Sequence, residues 1–360
     1  MGEFVEQAHQ VYPGWEEFHN QDVSDRLGCF MSGDRHFDII FAQQFDRRFL
    51  DYMCDLSEKT RILARTATGR ARLGSLLAHK RAMLYFVQPS TRTFLSFQNA
   101  CYLLGLKVSE IRGTTTSSEV KGESSEDTIR TFASYVDLII MRHPEPGFTE
   151  KTAWVLNRTE KPVPVINGGS GPDQHPTQAL LDIYTLERAL ERRGGIDGKK
   201  IAFVGDLMRG RTVRSLSYLM KNYEGTRLYY VSPDIFRIRD DIKAFLARHG
   251  IQYVETSDME EVLPEVDAIY MTRIQREYSA DPGGEPQSFP EYHFRKEHLS
   301  VIQPHCIIMH PLPRLYEIDV EVDRDHRAMY WQQVRNGMWL RTALMAYLLR
   351  VEDGILEEFK

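Results

Sequence analysis

Four arginines stand where a predicted strand gives way to a loop or a helix, a place where positive charge can serve chemistry. They are Arg92, Arg142, Arg211 and Arg273. The first belongs to Ser90-Thr91-Arg92-Thr93, which follows an apolar run and opens a predicted helix. A helix start offers unpaired N–H groups and the positive end of a dipole, and the hydroxyls and the guanidinium add donors. The stretch suits a phosphate, although a capped helix with a surface arginine explains it equally well.

The other three arginines follow the sequence patterns of buried strands. Arg142 comes after YVDLIIM, Arg211 lies in GDLMRGRT, and Arg273 comes after AIYMT. Since ligands bind at the carboxyl ends of parallel strands, we expect these side chains to face a ligand. Taken singly, each arginine is more often an ion-paired surface residue. Together the four cations would repel one another unless they bind anions, which favours two anionic substrates.

Two histidine–proline motifs supply shorter polar groups. In His175-Pro176-Thr177-Gln178, the His and Gln side chains can donate to a carbonyl oxygen or hold an amide. In His310-Pro311-Leu312-Pro313-Arg314, two prolines fix the backbone, which can aim carbonyl oxygens at an NH₂ group. The polar segment 117–128, with Lys121 inside it, is by default a solvated loop.

No metal or nucleophile motif accompanies these residues. The sequence has neither a nucleophile elbow with a Ser-His-Asp array nor Cys and His at metal-ligand spacing. We therefore expect direct group transfer without a metal or an organic cofactor, catalysed by orientation and charge stabilisation. A dinucleotide-dependent oxidoreductase is disfavoured, because the loop at 205–212 lacks the glycine fingerprint.

The composition indicates a soluble protein of two domains. A chain of 360 residues, 42% of them hydrophobic, can bury two cores. The net charge of −6 argues against a nucleic-acid partner. Four widely spaced cysteines suit a reducing compartment, and neither a signal peptide nor an apolar run of about 18 residues is apparent. We predict a cytoplasmic protein without a membrane partner.

Apolar runs alternate with amphipathic segments along most of the chain. The runs that predict strands lie at 82–87, 136–141, 163–166, 200–205, 268–272 and 306–309, and the predicted helices include 46–63, 177–190, 212–221, 235–249 and 339–349. Two such series predict an α/β fold of two doubly wound parallel-sheet domains, with the active site in the cleft between them.

The domain boundaries follow from the same pattern. We place the first domain at 37–185, completed by a C-terminal helix at 335–360, and the second at 186–334. The GGID stretch at 194–197 marks the break before the second series. Residues 1–36 show no sustained period, so we interpret them as an extension, an arm suited to docking on a neighbour.

Six spaced motifs give this sequence a family resemblance. STRT with a following LSF, MRH, QHPTQALLD, VGDL with GRTV, MTRIQ and HPLPR occur in this order, and NGMWLRTALMAYLL lies near the end. Over roughly 37–352 the chain resembles the catalytic chains of the aspartate/ornithine carbamoyltransferase family. The HPTQ and HPLPR motifs resemble the aspartate-specific members more than the ornithine-specific members, which typically have HPCQ and HCLP.

The resemblance implies a role for each matched residue. The phosphate of carbamoyl phosphate would be bound by Ser90, Thr91, Arg92 and Thr93. The carbonyl oxygen would be polarised by Thr93, Arg142 and His175, and the NH₂ group held by Gln178 and the backbone of Pro311 and Leu312. The aspartate carboxylates would be bound by Arg211, Arg273 and Gln275. A mobile loop from the neighbouring subunit would bring Ser117 and Lys121 to the carbamoyl phosphate, with Lys121 also reaching the aspartate and sharing in catalysis.

The implied reaction is carbamoyl transfer from carbamoyl phosphate to L-aspartate, an early step of pyrimidine biosynthesis, in a homotrimer with shared sites. A different amino acceptor and a non-catalytic scaffold remain as alternatives, and a regulatory chain or a dihydroorotase partner stays open. The sequence departs from the family pattern at Gln88, Phe94 and Tyr278. The resemblance implies that the changes at Gln88 and Tyr278 weaken the contacts that close the two domains.

Overall fold

The chain forms two compact units. A computed structural model describes residues 14–113, 124–171, 174–274 and 289–360. The first unit runs to Thr177 and includes Gly337–Lys360, and the second comprises Gln178–Asn336. The chain therefore passes between the units inside one helix, Pro176–Leu190, and returns inside another, Tyr330–Leu348.

The first unit is built on a parallel sheet with the strand order β4-β3-β5-β6. Its described strands are β1 Met31–Ser32, β2 Arg35–His36, β3 Arg81–Phe86, β4 Lys107–Arg112, β5 Leu138–Arg142 and β6 Val165–Asn167. Its described helices are α1 Trp15–His19, α2 Val23–Arg26, α3 Arg47–Leu63, α4 Ala67–Leu76, α5 Thr91–Leu103, α6 Ser125–Tyr135, α7 Phe148–Leu156 and the start of α8 Pro176–Leu190. Strands β1 and β2 form a separate antiparallel pair.

The second unit carries a parallel sheet with the order β11-β10-β7-β8-β9. Its described strands are β7 Lys200–Val204, β8 Arg227–Val231, β9 Gln252–Thr256, β10 Ala268–Met271 and β11 Ile307–Met309. Its described helices are the rest of α8, α9 Arg211–Leu219, α10 Asp240–Arg248, α11 Met259–Val262 and the start of α12 Tyr330–Leu348, after which α13 Asp353–Leu356 lies in the first unit. Short 3₁₀ helices such as Leu27–Phe30 and Val320–Arg324 fill some of the connections.

The central strands explain why this fold follows from the sequence. Every residue of β5 and of β10 is buried, as expected of parallel strands covered by helices on both faces. The amphipathic segment predicted at 46–63 is α3, and Asp46 caps it by accepting from the Phe49 N–H at 2.8 Å. The prediction of two parallel-sheet α/β domains is confirmed.

Residues 14–36 pack against the first unit of their own chain rather than projecting from it. The Phe30 side chain is fully buried in a cluster with Phe148 and Leu156. The Arg35 guanidinium donates to Glu352 Oε1 at 2.7 Å and lies over the Tyr347 ring. These contacts lie within the same chain, and docking of the extension on a neighbour stays a prediction.

Candidate active site

The carboxyl ends of three neighbouring strands form one edge of the first sheet. Phe86 at the end of β3 lies opposite Arg142 at the end of β5, and Met141 lies opposite Asn167 of β6. The Gln88 N–H donates to the Arg142 carbonyl at 3.1 Å, so the chain leaving β3 stays beside β5. This pairing brings the start of α5, the Arg142 side chain and the loop after β6 to the same edge.

Helix α5 begins with the residues predicted to bind a phosphate. Ser90 is the N-cap residue with extended backbone, and within the described chain its hydroxyl makes no capping hydrogen bond. Thr93 is buried in the first turn, while Thr91 and Arg92 are exposed. The N–H groups of this turn are available by position to an anion. The Phe94 ring packs edge-on against Phe86, which anchors the helix start to β3.

Arg142 and His175 meet at a glycine. Gly169 has φ +99°, and a Cβ placed on it would lie 2.6 Å from Arg142 Nη1 and 2.7 Å from His175 Cδ2. Both side chains therefore border the space where a Cβ of residue 169 would lie, and only glycine leaves that space empty. Arg142 is 6% exposed and His175 is 4% exposed. Arg142 Nη1 also donates to the Gly168 carbonyl at 3.3 Å. A fixed, dry guanidinium beside an imidazole suits a developing oxyanion.

Buried polar side chains hold the loop that carries this glycine. Asn167 Oδ1 accepts from the Gly169 and Ser170 N–H groups at 2.8 and 2.9 Å. Gln174 Oε1 accepts from the Ala42 N–H at 2.8 Å. Arg341 of α12 donates to the Ser96 hydroxyl of α5 at 2.7 Å, which ties the C-terminal helix to the proposed phosphate-binding helix.

The second unit carries its two predicted arginines on neighbouring strand ends. Met271 of β10 lies opposite Val204 of β7. Arg211 is the first residue of α9 after β7, Arg273 follows β10, and both are half-buried. Gly205 has φ +115°, and its backbone lies so close to Thr272 that an added Cβ would be 2.4 Å from the Thr272 carbonyl oxygen. The loops that lead to the two arginines are therefore packed against each other.

The motif His310-Pro311-Leu312 is fixed by a buried carboxylate. His310 Nδ1 accepts from the Leu312 N–H at 2.7 Å, and Nε2 lies 2.8 Å from Glu317 Oε1. Nε2 therefore carries the ring proton in the neutral histidine. Burial raises the pKa of Glu317, but hydrogen bonds from His310 and the Leu315 N–H outweigh it and leave that pKa below its usual value. Leu312 has φ +52° and precedes a cis proline.

Gln178 belongs to a buried network in the second unit. Its Nε2 donates to Asp182 Oδ1 at 2.9 Å, and Asp182 also accepts from Tyr270 and Gln333 at 2.8 and 2.7 Å. Gln333 in turn accepts from the His310 N–H at 2.9 Å. The motifs around Gln178 and His310, which are far apart in sequence, are thus joined by one carboxylate and one amide.

The predicted site residues fall into three groups by location. The first unit brings the start of α5, Arg142 and His175 to one sheet edge, and the second unit brings Arg211 and Arg273 to another. Three predicted residues, Ser117, Lys121 and Gln275, lie outside the described residues, as does Tyr278. His143, the neighbour of Arg142, stacks on Phe148 with ring centres 3.8 Å apart, which gives it a packing role.

Several residues that hold the predicted site residues in place were not predicted from the sequence. These are Asn167, Gln174, Asp182, Glu317, Gln333 and Arg341. Only Asp182, four residues after Gln178 on one helix face, had a signal in its spacing. Among the residues that the structure describes, no three His, Cys, Asp or Glu side chains lie together as metal ligands do. Nor does any helix in those ranges have the length and apolar character needed to cross a membrane.

Comparison with known proteins identifies the family. The sequence model described as "Aspartate/ornithine carbamoyltransferase, carbamoyl-P binding domain" matches residues 37–188, and the one described as "Aspartate/ornithine carbamoyltransferase, Asp/Orn binding domain" matches residues 197–348. The aspartate carbamoyltransferase of Oryza sativa, named as chloroplastic, is 43% identical over 87% of this chain and 85% of its own length.

Solved structures agree with the sequence matches. The catalytic subunit of the M. jannaschii aspartate transcarbamoylase has a TM-score of 0.77 at 37% identity, covering 87% of this chain and 98% of that one. The Trypanosoma cruzi aspartate transcarbamoylase in complex with carbamoyl phosphate and aspartate has a TM-score of 0.77 at 33% identity, covering 86% and 95%. The chain therefore belongs to the aspartate/ornithine carbamoyltransferase family.

Proposed function

We propose that this chain transfers the carbamoyl group of carbamoyl phosphate to the amino group of L-aspartate, giving N-carbamoyl-L-aspartate and phosphate. The observation that carries the proposal is the convergence of buried Arg142 and His175 on Gly169, beside the helix start at Ser90–Thr93. A relative from Trypanosoma cruzi whose structure holds carbamoyl phosphate and aspartate supports the same pair of substrates. The product makes this an early step of pyrimidine biosynthesis.

Carbamoyl phosphate, the first substrate, would be bound by the residues that the family resemblance assigns to it. The N–H groups and hydroxyls of Ser90, Thr91 and Thr93 bind the phosphate together with the Arg92 guanidinium. Arg142, His175 and Thr93 donate to the carbonyl oxygen. Gln178 and the backbone of Pro311 and Leu312 hold the NH₂ group, which explains why His310 and Glu317 fix that turn.

The second substrate would be held by cations of the second unit. Arg211 and Arg273, with Gln275, bind the two carboxylates of aspartate and leave its amino group free to react. Both arginines keep part of their surface exposed, so they can attract the two carboxylates of aspartate from solution. A guanidinium fork matches a carboxylate in geometry as well as in charge.

The proposed reaction is a direct transfer between the two bound substrates. Carbamoyl phosphate binds first, and the neutral amine of aspartate then attacks its carbonyl carbon. The C–N bond forms as the carbonyl π electrons move to oxygen, and Arg142, His175 and Thr93 stabilise the resulting oxyanion. Each well-aimed donor contributes roughly 3 kcal/mol to the transition state. The C–O bond to phosphate then breaks, and the departing phosphate takes the amine proton.

An assay with two acceptors tests the proposal. Purified protein is given carbamoyl phosphate with either L-aspartate or L-ornithine, and the carbamoylated products and phosphate are measured. We expect N-carbamoyl-L-aspartate and phosphate in equal amounts, and no citrulline. Ornithine turnover would instead support the alternative acceptor, and the absence of any turnover would support a non-catalytic scaffold.

The assembly is a second part of the proposal. The protein would act in the cytoplasm as a homotrimer in which Ser117 and Lys121 complete the site of a neighbouring subunit. Ser90→Ala and Lys121→Ala variants, each nearly inactive, should then recover part of the wild-type activity when their subunits are exchanged. Mass spectrometry verifies that the subunits have exchanged. If activity does not recover after that, shared sites are excluded. The presence of a regulatory chain or a dihydroorotase partner is left open by the proposal.

A further inference from the structure

Residues 14–36 precede the first matched family domain, which begins at residue 37, yet they pack tightly on helix α7. The Trp15 ring meets the Trp154 ring edge-on with centres 5.6 Å apart. Phe18 lies 6.0 Å from the same Trp154 ring. Phe30 belongs to the same buried cluster as Phe148 and Leu156 of α7, so this segment and α7 share one hydrophobic core.

A buried carboxylate fixes the contact more specifically. Glu150 stands in the first turn of α7 and is 4% exposed. Arg26, itself buried, donates to Glu150 Oε1, and His19 Nδ1 lies 3.0 Å from Glu150 Oε2. Burial raises the pKa of Glu150 even with both basic side chains beside it. Loss of Arg26 would therefore leave a poorly compensated charge at the start of α7.

The start of α7 is held on its other side by the loop at 167–171. The Thr149 hydroxyl shares a short hydrogen bond with the Ser170 hydroxyl, and both side chains are buried. The Gly171 N–H donates to the His143 carbonyl at 2.8 Å, just before the turn that leads into α7. The first turn of α7 thus contacts residues 14–36 through Glu150 and the loop through Thr149.

The same loop carries the glycine that Arg142 and His175 border. At Gly169 the clearance is small, since an added Cβ would come within 2.6 Å of Arg142 and 2.7 Å of His175. A displacement of this loop by about 1 Å would disturb the contacts that both proposed oxyanion donors make with it, including the hydrogen bond from Arg142 to the Gly168 carbonyl. Errors of that size in the position of a catalytic group cost up to about a hundredfold in rate.

We propose that residues 14–36 are a positioning element for the transfer reaction. Through Arg26 and Glu150 they hold the first turn of α7, and through Thr149 and Ser170 that turn holds the loop at 167–171 where Arg142 and His175 need it. The kinetic part of this inference rests on the proposed function, whereas the structural part does not.

The first test compares two arginines of the same segment. Arg26→Gln removes the cation beside Glu150, and Arg35→Gln is the matched control, because Arg35 pairs with Glu352 instead. For Arg26→Gln we expect kcat to fall about tenfold, with the KM for aspartate within about twofold of wild type. Amide exchange of a peptide covering 167–171 should also become about fivefold faster. Arg35→Gln should leave kcat and this exchange unchanged.

The second test addresses the link inside α7. Thr149→Val keeps the side-chain shape but removes the hydroxyl, whereas Thr149→Ser retains the hydroxyl. We expect Thr149→Val to lower kcat about tenfold, and Thr149→Ser to stay within about threefold of wild type. If both act through one link, combining Arg26→Gln with Thr149→Val should cost no more than the larger single effect. Should Arg26→Gln fail to fold, Arg26→Lys takes its place, with an expected fall of about threefold.

The outcomes separate the two proposals. The positioning role would be overturned if amide exchange at 167–171 were unchanged in a folded Arg26 variant. It would also be overturned if the Arg26 and Arg35 variants lost kcat equally. A wild-type protein that forms no N-carbamoyl-L-aspartate would overturn the proposed function. In that case the exchange measurement still decides whether residues 14–36 hold the loop.

Discussion

Arg142 at the first sheet edge differs in exposure from the two arginines at the second edge. In the first unit, Arg142 is almost fully buried and lies against a glycine that leaves no spare room. In the second unit, Arg211 and Arg273 are half-buried. A group that stabilises charge as it forms must be fixed and dry beforehand, whereas groups that bind carboxylates already ionised in solution gain from staying accessible. The exposure of each arginine thus matches its proposed role.

Behind each edge lies a different kind of support. Asn167 holds the first loop with neutral hydrogen bonds to two N–H groups. In the second unit, the carboxylates of Glu317 and Asp182 organise the polar groups instead. At Gly169 itself the first edge therefore depends on close packing and neutral hydrogen bonds, and the buried Arg26–Glu150 pair acts on it only through helix α7. In the second unit, buried carboxylates bind the polar groups directly. Substitutions can separate these two dependences.

The largest effect is expected at Arg142. Arg142→Met should lower kcat by about 10²- to 10³-fold, because it removes a preorganised donor from the oxyanion. The KM for aspartate should change much less. Steady-state kinetics checks this, with Arg47→Met as the control, since Arg47 lies on the surface beside Asp51. A kcat within threefold of wild type would show that the buried edge does not stabilise the transition state.

Gly169→Ala probes packing at the same edge without removing a charge. The added methyl group would collide with Arg142 and His175, so kcat should fall about ten- to a hundredfold. Gly33→Ala is the control, because Gly33 also has positive φ, +62°, but has nothing within 4 Å of its would-be Cβ. Both variants should lose about 1 kcal/mol of stability from backbone strain. Equal kcat values for the two variants would contradict the role of Gly169.

Arg273→Met tests the sheet edge of the second unit, where the arginines are half-buried. It should raise the KM for aspartate about ten- to a hundredfold, the usual range for a hydrogen bond to a charged group. Binding of carbamoyl phosphate, measured by calorimetry without aspartate, should be unchanged. If carbamoyl phosphate binding weakened as much as the KM for aspartate rose, the assignment of separate substrates to the two edges would be wrong.

The fold could be predicted from the sequence where strands are buried on both faces. The apolar runs at 136–141 and 268–272 correspond to β5 and β10, whose residues are all buried. Strands β4 and β9 lie at sheet edges and are largely exposed or half-exposed. Their sequences, KVSEIR and QYVET, lack an apolar run, and hydrophobic patterning had no signal to detect there.

The candidate site divides in a similar way. Residues beside strand ends, such as Arg142 and Arg273, could be predicted, because a residue directly after a parallel strand must lie at the carboxyl edge of the sheet. Gly169 and Glu317 could not, since their roles depend on how loops fold back onto distant residues. The helix predicted from 339 begins at Tyr330. Its first residues include Gln333, a polar side chain buried by a network that local periodicity does not reveal.

The smallest effects concern two buried carboxylates with opposite pKa shifts. Asp38, in the first unit, accepts hydrogen bonds from Asn157 and the Val165 N–H at 2.7 Å each, and burial raises its pKa from 3.8 to about 7. Glu317, in the second unit, has a lowered pKa because the hydrogen bonds from His310 and the backbone outweigh burial. The stability contributed by Asp38 is thus greatest below pH 4 and is lost as the pH rises toward 7. Glu317 contributes stability at neutral pH that is lost in acid.

The variants Asp38→Asn and Glu317→Gln test these opposite pH dependences of stability. Urea unfolding of each variant and of wild type is followed between pH 4 and pH 8. Relative to Asp38→Asn, the wild type should lose about 2 kcal/mol between about pH 4 and about pH 7. Relative to Glu317→Gln, it should be about 1 kcal/mol more stable at neutral pH, and this advantage should shrink as the pH falls toward 4. Parallel pH profiles for the two differences would mean that the two units bury charge in the same way, which would remove the physical basis for treating their edges as different.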